Sequence, residues 1–205
     1  MVRDGIYYAL ALVTAGVLVA GIGPALLGVP FFAAGAFCLW FFRDPERVVP
    51  AGPVAVSPAD GKVMAIVQET PELSRISIFL NVFDVHVNRS PIGGTIKTVE
   101  YHKGQFLVAS KEIASAVNEQ NTVVVAGEGS QVMFKQIAGL IARRIVFYKK
   151  IGDSVAKGER IGLMKFGSRM DILFGPEWEI TAKPRDRVRA GTTVIAQRRD
   201  LGVPD

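Results

Sequence analysis

The chain has one cysteine, Cys38, and two histidines, His86 and His102. That scarcity excludes a disulfide scaffold and leaves a Cys/His metal cluster too few ligands. A lone thiol inside an apolar run also carries no information about redox compartment. Charge is missing from one long stretch. Between Asp4 and Arg43 no acidic or basic residue occurs, a run of 38 positions from Gly5 to Phe42. Hydrophobic residues make up 49% of the chain, which excludes low-complexity disorder. Beyond the run the charge is ordinary, and about 160 residues remain, enough to bury a core.

A membrane-crossing helix needs ~20 apolar residues, so the run is long for one span and adequate for two short ones. Gly21-Ile-Gly-Pro24 and Gly28-Val-Pro30 interrupt its middle, and breakers there predict a helical hairpin. A cleaved signal peptide fits poorly, because Arg3 is offset by Asp4 and the apolar stretch is too long. Arg43 and Arg47 flank the exit and place the following domain on the cytoplasmic side of a cell membrane. The expected organisation is an anchor over 1–42, a charged, proline-bounded linker over 43–50, and a folded domain over 51–205.

The net charge is +5. Nine of the basic residues fall between Lys135 and Arg169, against Asp153 and Glu159 alone. Beside an apolar N-terminus, such a cluster points to an anionic membrane rather than nucleic acid. A solvated basic surface is the plainer alternative.

The remainder reads as mainly β, in the α+β class. Short Val/Ile-rich runs recur between Gly, Pro and Asp, among them 61–67, 75–82, 95–101, 122–126, 131–136 and 142–149. Only 106–117 and 136–142 look helical. One internal echo stands out: Asp153-x-Val155-x-x-Gly158-x-x-Ile161 returns as Asp186-x-Val188-x-x-Gly191-x-x-Val194, 33 residues later. Two such units suggest a small barrel-like domain with hairpins of the lipoyl or biotinyl kind.

Three segments could carry chemistry. Ser57-Pro-Ala-Asp60-Gly61 is, taken alone, a turn, since Asp-Gly favours positive φ. In Phe83-Asp84-Val85-His86-Val87-Asn88-Arg89, strand spacing would put Asp84, His86 and Asn88 on one face. That is either a solvated strand or a proton-transfer site, histidine being the side chain poised near neutrality. Met164-Lys165-Phe166-Gly167-Ser168-Arg169-Met170-Asp171 allows two readings. Its Met-Lys pair, after Gly152-Asp-x-Val-x-x-Gly, resembles the tip of a biotinyl domain, with Lys165 as the modified residue; its Gly167-Ser168 pair allows another.

Together these segments resemble the short form of phosphatidylserine decarboxylase. The resemblance rests on Ser57-Pro-Ala-Asp60-Gly61, Asn81-Val-Phe-Asp-Val-His86-Val-Asn-Arg-Ser-Pro91 and Phe166-Gly167-Ser168-Arg169-Met170-Asp171, in that order. It implies a self-processing proenzyme whose motif serine attacks the preceding glycine carbonyl. The cut falls between Gly167 and Ser168, giving a β chain of 1–167 and an α chain of 168–205 headed by a pyruvoyl group made from Ser168. The ketone forms a Schiff base with the substrate amine, so neither a metal nor pyridoxal phosphate is required. The implied substrate is phosphatidylserine in an anionic membrane, and the product is phosphatidylethanolamine. His86 and Asp60 are the implied activating pair, with Asp60 orienting the imidazole. Arg89 and His102 are candidate substrate-binding residues.

Two positions depart from the family pattern. Arg89 stands where the longer bacterial form has a second histidine, and Gln120, in Asn118-Glu-Gln-Asn121, stands where the family usually has arginine. The α chain is expected to stay with its β chain, and a homo-oligomer is left open. The rival reading is a membrane-tethered carrier domain using Lys165; a non-catalytic membrane adaptor is a third.

Overall fold

The computed structural model describes residues 2–127, 129–140, 144–165 and 167–199. It divides into two compact units, Met1–Glu46 and Arg47–Asp205.

The first unit is a helical hairpin. Helix α1 (Arg3–Ile22) stops at Gly23-Pro24, a single 3-10 turn covers Ala25–Gly28, and α2 (Val29–Phe41) starts with Pro30 in its first turn. The arms are unequal because Gly21 is absorbed into α1. Small residues form the seam. A Cβ on Gly5 would lie 2.4 Å from Phe42 Cβ, one on Gly16 would lie 2.9 Å from the Phe32 ring, and one on Gly28 would lie 2.8 Å from the Gly16 carbonyl. The two backbones therefore approach too closely for larger side chains. Leu10, Val17, Leu18 and Ile22 remain exposed on the outside. By length and composition α1 is able to cross a membrane.

The second unit is mainly β. Its strands are β1 (Val54–Val56), β2 (Gly61–Thr70), β3 (Leu73–Leu80), β4 (Val87–Arg89), β5 (Gly94–His102), β6 (Gln120–Gly127) and β7 (Ser130–Ile137). They continue as β8 (Ile145–Phe147), β9 (Ser154–Val155), β10 (Arg160–Met164), β11 (Ser168–Phe174), β12 (Trp178–Ile180), β13 (Arg187–Val188) and β14 (Val194–Arg198). An eight-stranded sheet in the order β13-β2-β3-β11-β7-β6-β5-β9 curls into a half-barrel. Two three-stranded sheets, β1-β14-β12 and β4-β10-β8, accompany it. Ile76, Ile78 and Leu80 of β3, Phe134 of β7, and Met170, Ile172 and Phe174 of β11 share one core with Ile161 and Met164 of β10.

The helical expectations are corrected. Of 106–117 only α3 (Ala114–Val117) is helical, and Gln136 and Ile137 end β7. Residues 141 and 142 lie outside the described residues. The apolar spacing at 134–140 belongs to a strand end, where Phe134 faces the core.

The echo at 153 and 186 is half of a larger internal repeat with the same offset. Ser57 Oγ donates to the Ala59 carbonyl at 2.6 Å, and Ser90 Oγ donates to the Ile92 carbonyl at 2.7 Å. Gly191 N–H donates to the Ser57 carbonyl and Gly158 N–H to the Ser90 carbonyl, both at 2.8 Å. Val63 N–H reaches the Asp186 carbonyl and Ile96 N–H the Asp153 carbonyl, both at 2.9 Å. Each Ser-Pro turn from the first half of the domain thus clasps an Asp turn from the second. The match extends to backbone conformation, for Arg185 has φ +77° where its counterpart Gly152 has +92°. A non-glycine residue in the left-handed region costs about 1 kcal/mol or more. One difference between the copies bears on the site: Asp60 occupies the position held by Gly93 in the other.

Candidate active site

Gly167-Ser168 sits on the link from β10 to β11. These two strands do not pair with each other, so the link is a crossover between sheets and not a hairpin tip. β10 lies between β4 and β8, whereas β11 lies between β3 and β7. Gly167 has φ +63°, in the left-handed region that glycine enters without steric cost. Ser168 follows as the first residue of β11 and is fully buried. On the alternating strand it shares the core face with Met170 and Ile172. Its Oγ has no hydrogen-bond partner among the described residues. A buried hydroxyl without a partner costs on the order of 1–3 kcal/mol, and such costs concentrate at functional sites.

His86 reaches the same end of the fold through the segment that follows β3. Leu80 pairs with Ser168. The chain then turns at Asn81–Asp84, where Asp84 N–H donates to the Asn81 carbonyl at 3.1 Å and Asp84 Oδ2 accepts the Asn81 N–H at 2.9 Å. At its far end the His86 carbonyl accepts the Met164 N–H at 3.2 Å. Residues 80–86 therefore bridge both strands that flank Gly167-Ser168. Strand β4 begins only at Val87, so Asp84 belongs to a turn and not to a shared strand face with His86 and Asn88.

His86 is buried, and its Nδ1 lies 2.9 Å from the Asp84 carbonyl. A carbonyl only accepts, so in the neutral ring Nδ1 carries the proton and Nε2 presents the lone pair. That is the tautomer a general base requires.

Asp60 does not make the contact expected of it. Its Oδ1 accepts the Ala190 N–H at 2.7 Å, and Arg47 Nη2 donates to both carboxylate oxygens at 3.1 and 2.8 Å. The group set on the imidazole Nδ1 is instead the backbone carbonyl of Asp84. Arg89 is also buried; its Nη1 donates to the Gly158 carbonyl at 3.0 Å, and a Cβ on Gly191 would meet its Cδ at 2.8 Å. It threads between the two glycine turns of the internal repeat. His102 is exposed at the end of β5, 3.7 Å from Glu100, and is not brought to Ser168 by any described contact. Lys165 is only 7% exposed, whereas a lysine awaiting biotin must protrude.

The opposite face of β11 carries a buried charge network absent from the sequence reading. Arg169 donates to Asp171 Oδ1 at 2.6 Å, to Ser77 Oγ at 2.9 Å and to Glu112 at 3.2 Å. Ser115 Oγ donates to Asp171 Oδ2 at 2.6 Å, and Arg75 bonds to Glu69, Glu112 and Ser77. Burial alone would lower the Arg75 pKa, but Glu69, Asp171 and Glu112 raise it above its ordinary value. Through Glu112 and Ser115 the network ties segment 105–118 over the strand that Ser168 begins. The basic run between Lys135 and Arg169 is accordingly not one surface: Arg169 lies in this network and Lys149 pairs with Glu159. Among the described residues no three His, Cys, Asp or Glu side chains are placed to hold a metal ion.

A family model, phosphatidylserine decarboxylase, matches residues 34–196. A phosphatidylserine decarboxylase proenzyme of Solibacter usitatus is 66% identical over 200 residues, covering 98% of each chain. Proenzymes of the same name from Amoebophilus asiaticus and Symbiobacterium thermophilum are 44% and 41% identical. They cover 83% and 95% of this chain and 80% and 94% of their own lengths.

Proposed function

The chain belongs to the phosphatidylserine decarboxylase family, and from that premise we propose that it cuts itself between Gly167 and Ser168 and then decarboxylates phosphatidylserine at a membrane surface. The observation that carries the reading is the pairing of a left-handed Gly167 with a buried Ser168 whose Oγ has no partner among the described residues.

In the first step Ser168 Oγ bonds to the Gly167 carbonyl carbon and its proton passes to His86 Nε2. A serine hydroxyl needs such a base to act as a nucleophile. The Gly167–Ser168 C–N bond then breaks, the Ser168 nitrogen takes a proton, and an ester joins the two residues. Loss of the Ser168 Cα proton expels Gly167 as a carboxylate with cleavage of the Cβ–Oγ bond. Water then replaces the nitrogen, which leaves as ammonia. The result is a pyruvoyl group at the head of a 38-residue α chain. That ketone supplies an electron sink for the carbanion left when CO₂ departs from the substrate. In this reading His86 also returns a proton to the decarboxylated carbon.

Asp60 has a different duty from the one the motif suggested. It holds Arg47 and the Ala190 turn, and so clasps the α chain to the β chain next to the site. The N-terminal hairpin acts as the anchor, with the catalytic domain on the cytoplasmic side. Its exposed apolar face suits lipid, and Arg43, stacked 4.3 Å over Trp40 at the end of α2, has the character of an interfacial residue. A lipid substrate gives the anchor its purpose, since the headgroup to be altered lies at the bilayer surface.

Intact mass tests the whole reading. Purified protein should contain two chains, 1–167 and 168–205. A single uncleaved chain that decarboxylates phosphatidylserine would overturn it, and a biotin adduct on Lys165 would favour the carrier reading.

A further inference from the structure

We infer that Gly139 is a positioning residue for self-cleavage, seating the carbonyl that Ser168 attacks; this deepens the reading above and rests on it. The placement follows from strand register. Arg169 of β11 faces Ile137 of β7, and two further steps along this antiparallel pair set Gly139 opposite Gly167. The approach is unusually close. A Cβ on Gly139 would lie 1.9 Å from the Gly167 carbonyl oxygen and 3.1 Å from its carbon. On its other side the same Cβ would meet Ala109 Cβ at 3.3 Å. Gly139 is therefore wedged between segment 105–118 and the bond to be cut, and only a hydrogen fits on its Cα. Gly167 itself has open space where a Cβ would sit, so what fixes its carbonyl is the neighbour and not its own crowding.

Asn118 holds this wedge in place. Its Nδ2 donates to the carbonyls of Leu107 and Ala138, both at 2.8 Å, and its Oδ1 accepts the Leu107 N–H at 3.0 Å. Ala138 N–H donates in turn to the Glu119 carbonyl at 2.9 Å. The residue before Gly139 is thus bonded through both its backbone groups. The attack forms a five-membered ring, so Oγ must meet the carbonyl carbon above its plane. A carbonyl oxygen free to swing would lose that alignment, and misplacement by about 1 Å can cost about 100-fold in rate. Gly139 limits the swing from one side, and a methyl group there would displace the oxygen itself.

The test follows appearance of the α chain in freshly synthesised full-length protein. Gly139→Ala should slow cleavage by about 100-fold. Gly93→Ala, whose new methyl would have only ordinary contacts of 3.5 Å or more, should cleave within about twofold of wild type. Hydroxylamine, which splits esters, should release no α chain from uncleaved Gly139→Ala, because the block precedes ester formation. Asn118→Asp, isosteric but lacking both N–H donors, should slow cleavage several-fold and serves if Gly139→Ala fails to fold. Wild-type cleavage rates in Gly139→Ala, or in Asn118→Asp where Gly139→Ala is unfolded, would overturn the inference. So would a hydroxylamine-labile ester accumulating in Gly139→Ala. A wild-type chain that never cleaves would overturn the underlying reading, and this inference with it.

Discussion

Asp60 and Ala190 meet across the two stretches of chain that the proposed cut would separate. The carboxylate accepts the Ala190 N–H at 2.7 Å and is neutralised by Arg47 at 2.8 Å. Asp60→Ala would leave a buried N–H unpaired and Arg47 without its counter-charge. The expected loss is about 2–4 kcal/mol, between a lost buried hydrogen bond and a broken buried ion pair. Thermal melts in a Ser168→Ala background, where cleavage cannot interfere, measure it. Asp60→Asn keeps an acceptor for Ala190 and should lose less. Equal stability of Asp60→Ala and its parent would show that the clasp contributes nothing.

His86 and Ser168 should separate by chemistry. Ser168→Ala should remain one chain under all conditions. His86→Ala should slow cleavage by about 10²–10⁴-fold, the usual worth of a positioned general base. Added imidazole should restore part of that rate. Normal maturation and turnover of His86→Ala would return the histidine to a packing role.

Borohydride with phosphatidylserine should attach the substrate amine to the α chain of cleaved protein and to no lysine. Mass spectrometry of the separated chains reads the outcome. An adduct on Lys165 would refute the pyruvoyl assignment, and the burial of Lys165 argues against that result.

Removing residues 1–42 should release a folded domain, because residues from Arg47 onward form a compact unit with its own hydrophobic core. Activity on bilayer substrate should fall more than activity on a short-chain soluble analogue. The comparison needs high salt, which screens residual attraction between basic residues and anionic lipid. A truncated protein that still sediments with vesicles under those conditions would place the main anchor elsewhere.

Glu159 supplies a pH signature. Burial alone would raise its pKa, but Lys149 and the Ala156 N–H, 2.8 Å away, hold it below the ordinary value. A lowered folded pKa contributes stability that is present above the unfolded value near 4.5 and lost as pH falls through the folded one. The stability difference between wild type and Glu159→Gln should therefore shrink as pH drops below that range. Urea unfolding at stepped pH measures it, and a difference that stays constant would remove Glu159 from the account.

Much of this was legible in residue order. The alternation in 61–67, 75–82 and 131–136 marks strands because each has one face on the core, and Gly-Pro breaks mark the helical hairpin. The His86 and Gly167-Ser168 segments were visible as motifs. The partners of those residues were not. A backbone carbonyl orients His86, and nothing in the Asp84 side chain announces that. Gly139 sits on the Gly167 carbonyl because of strand register, which single-sequence periodicity does not supply. Arg169 was counted with the basic cluster because nothing in residue order shows that segment 105–118, read as a short helix, lies over β11 and buries it. Asp60 had one unused signal. Setting 57–63 beside 90–96 at the 33-residue offset leaves Asp60 against Gly93, so the turn itself does not demand an acid.

The strand that begins at Ser168 is bonded on both edges, to β3 and to β7, and so lies inside the sheet that it would head after cleavage. Cutting its first peptide bond opens no edge and exposes no core, so the protein should keep its shape through maturation. Unfolding afterwards is another matter. Two free chains would have to find each other again, at a cost that grows with dilution, and a serine already converted cannot be converted twice. Such a molecule matures once and has no second assembly to draw on, so its working lifetime is set by how slowly it first comes apart.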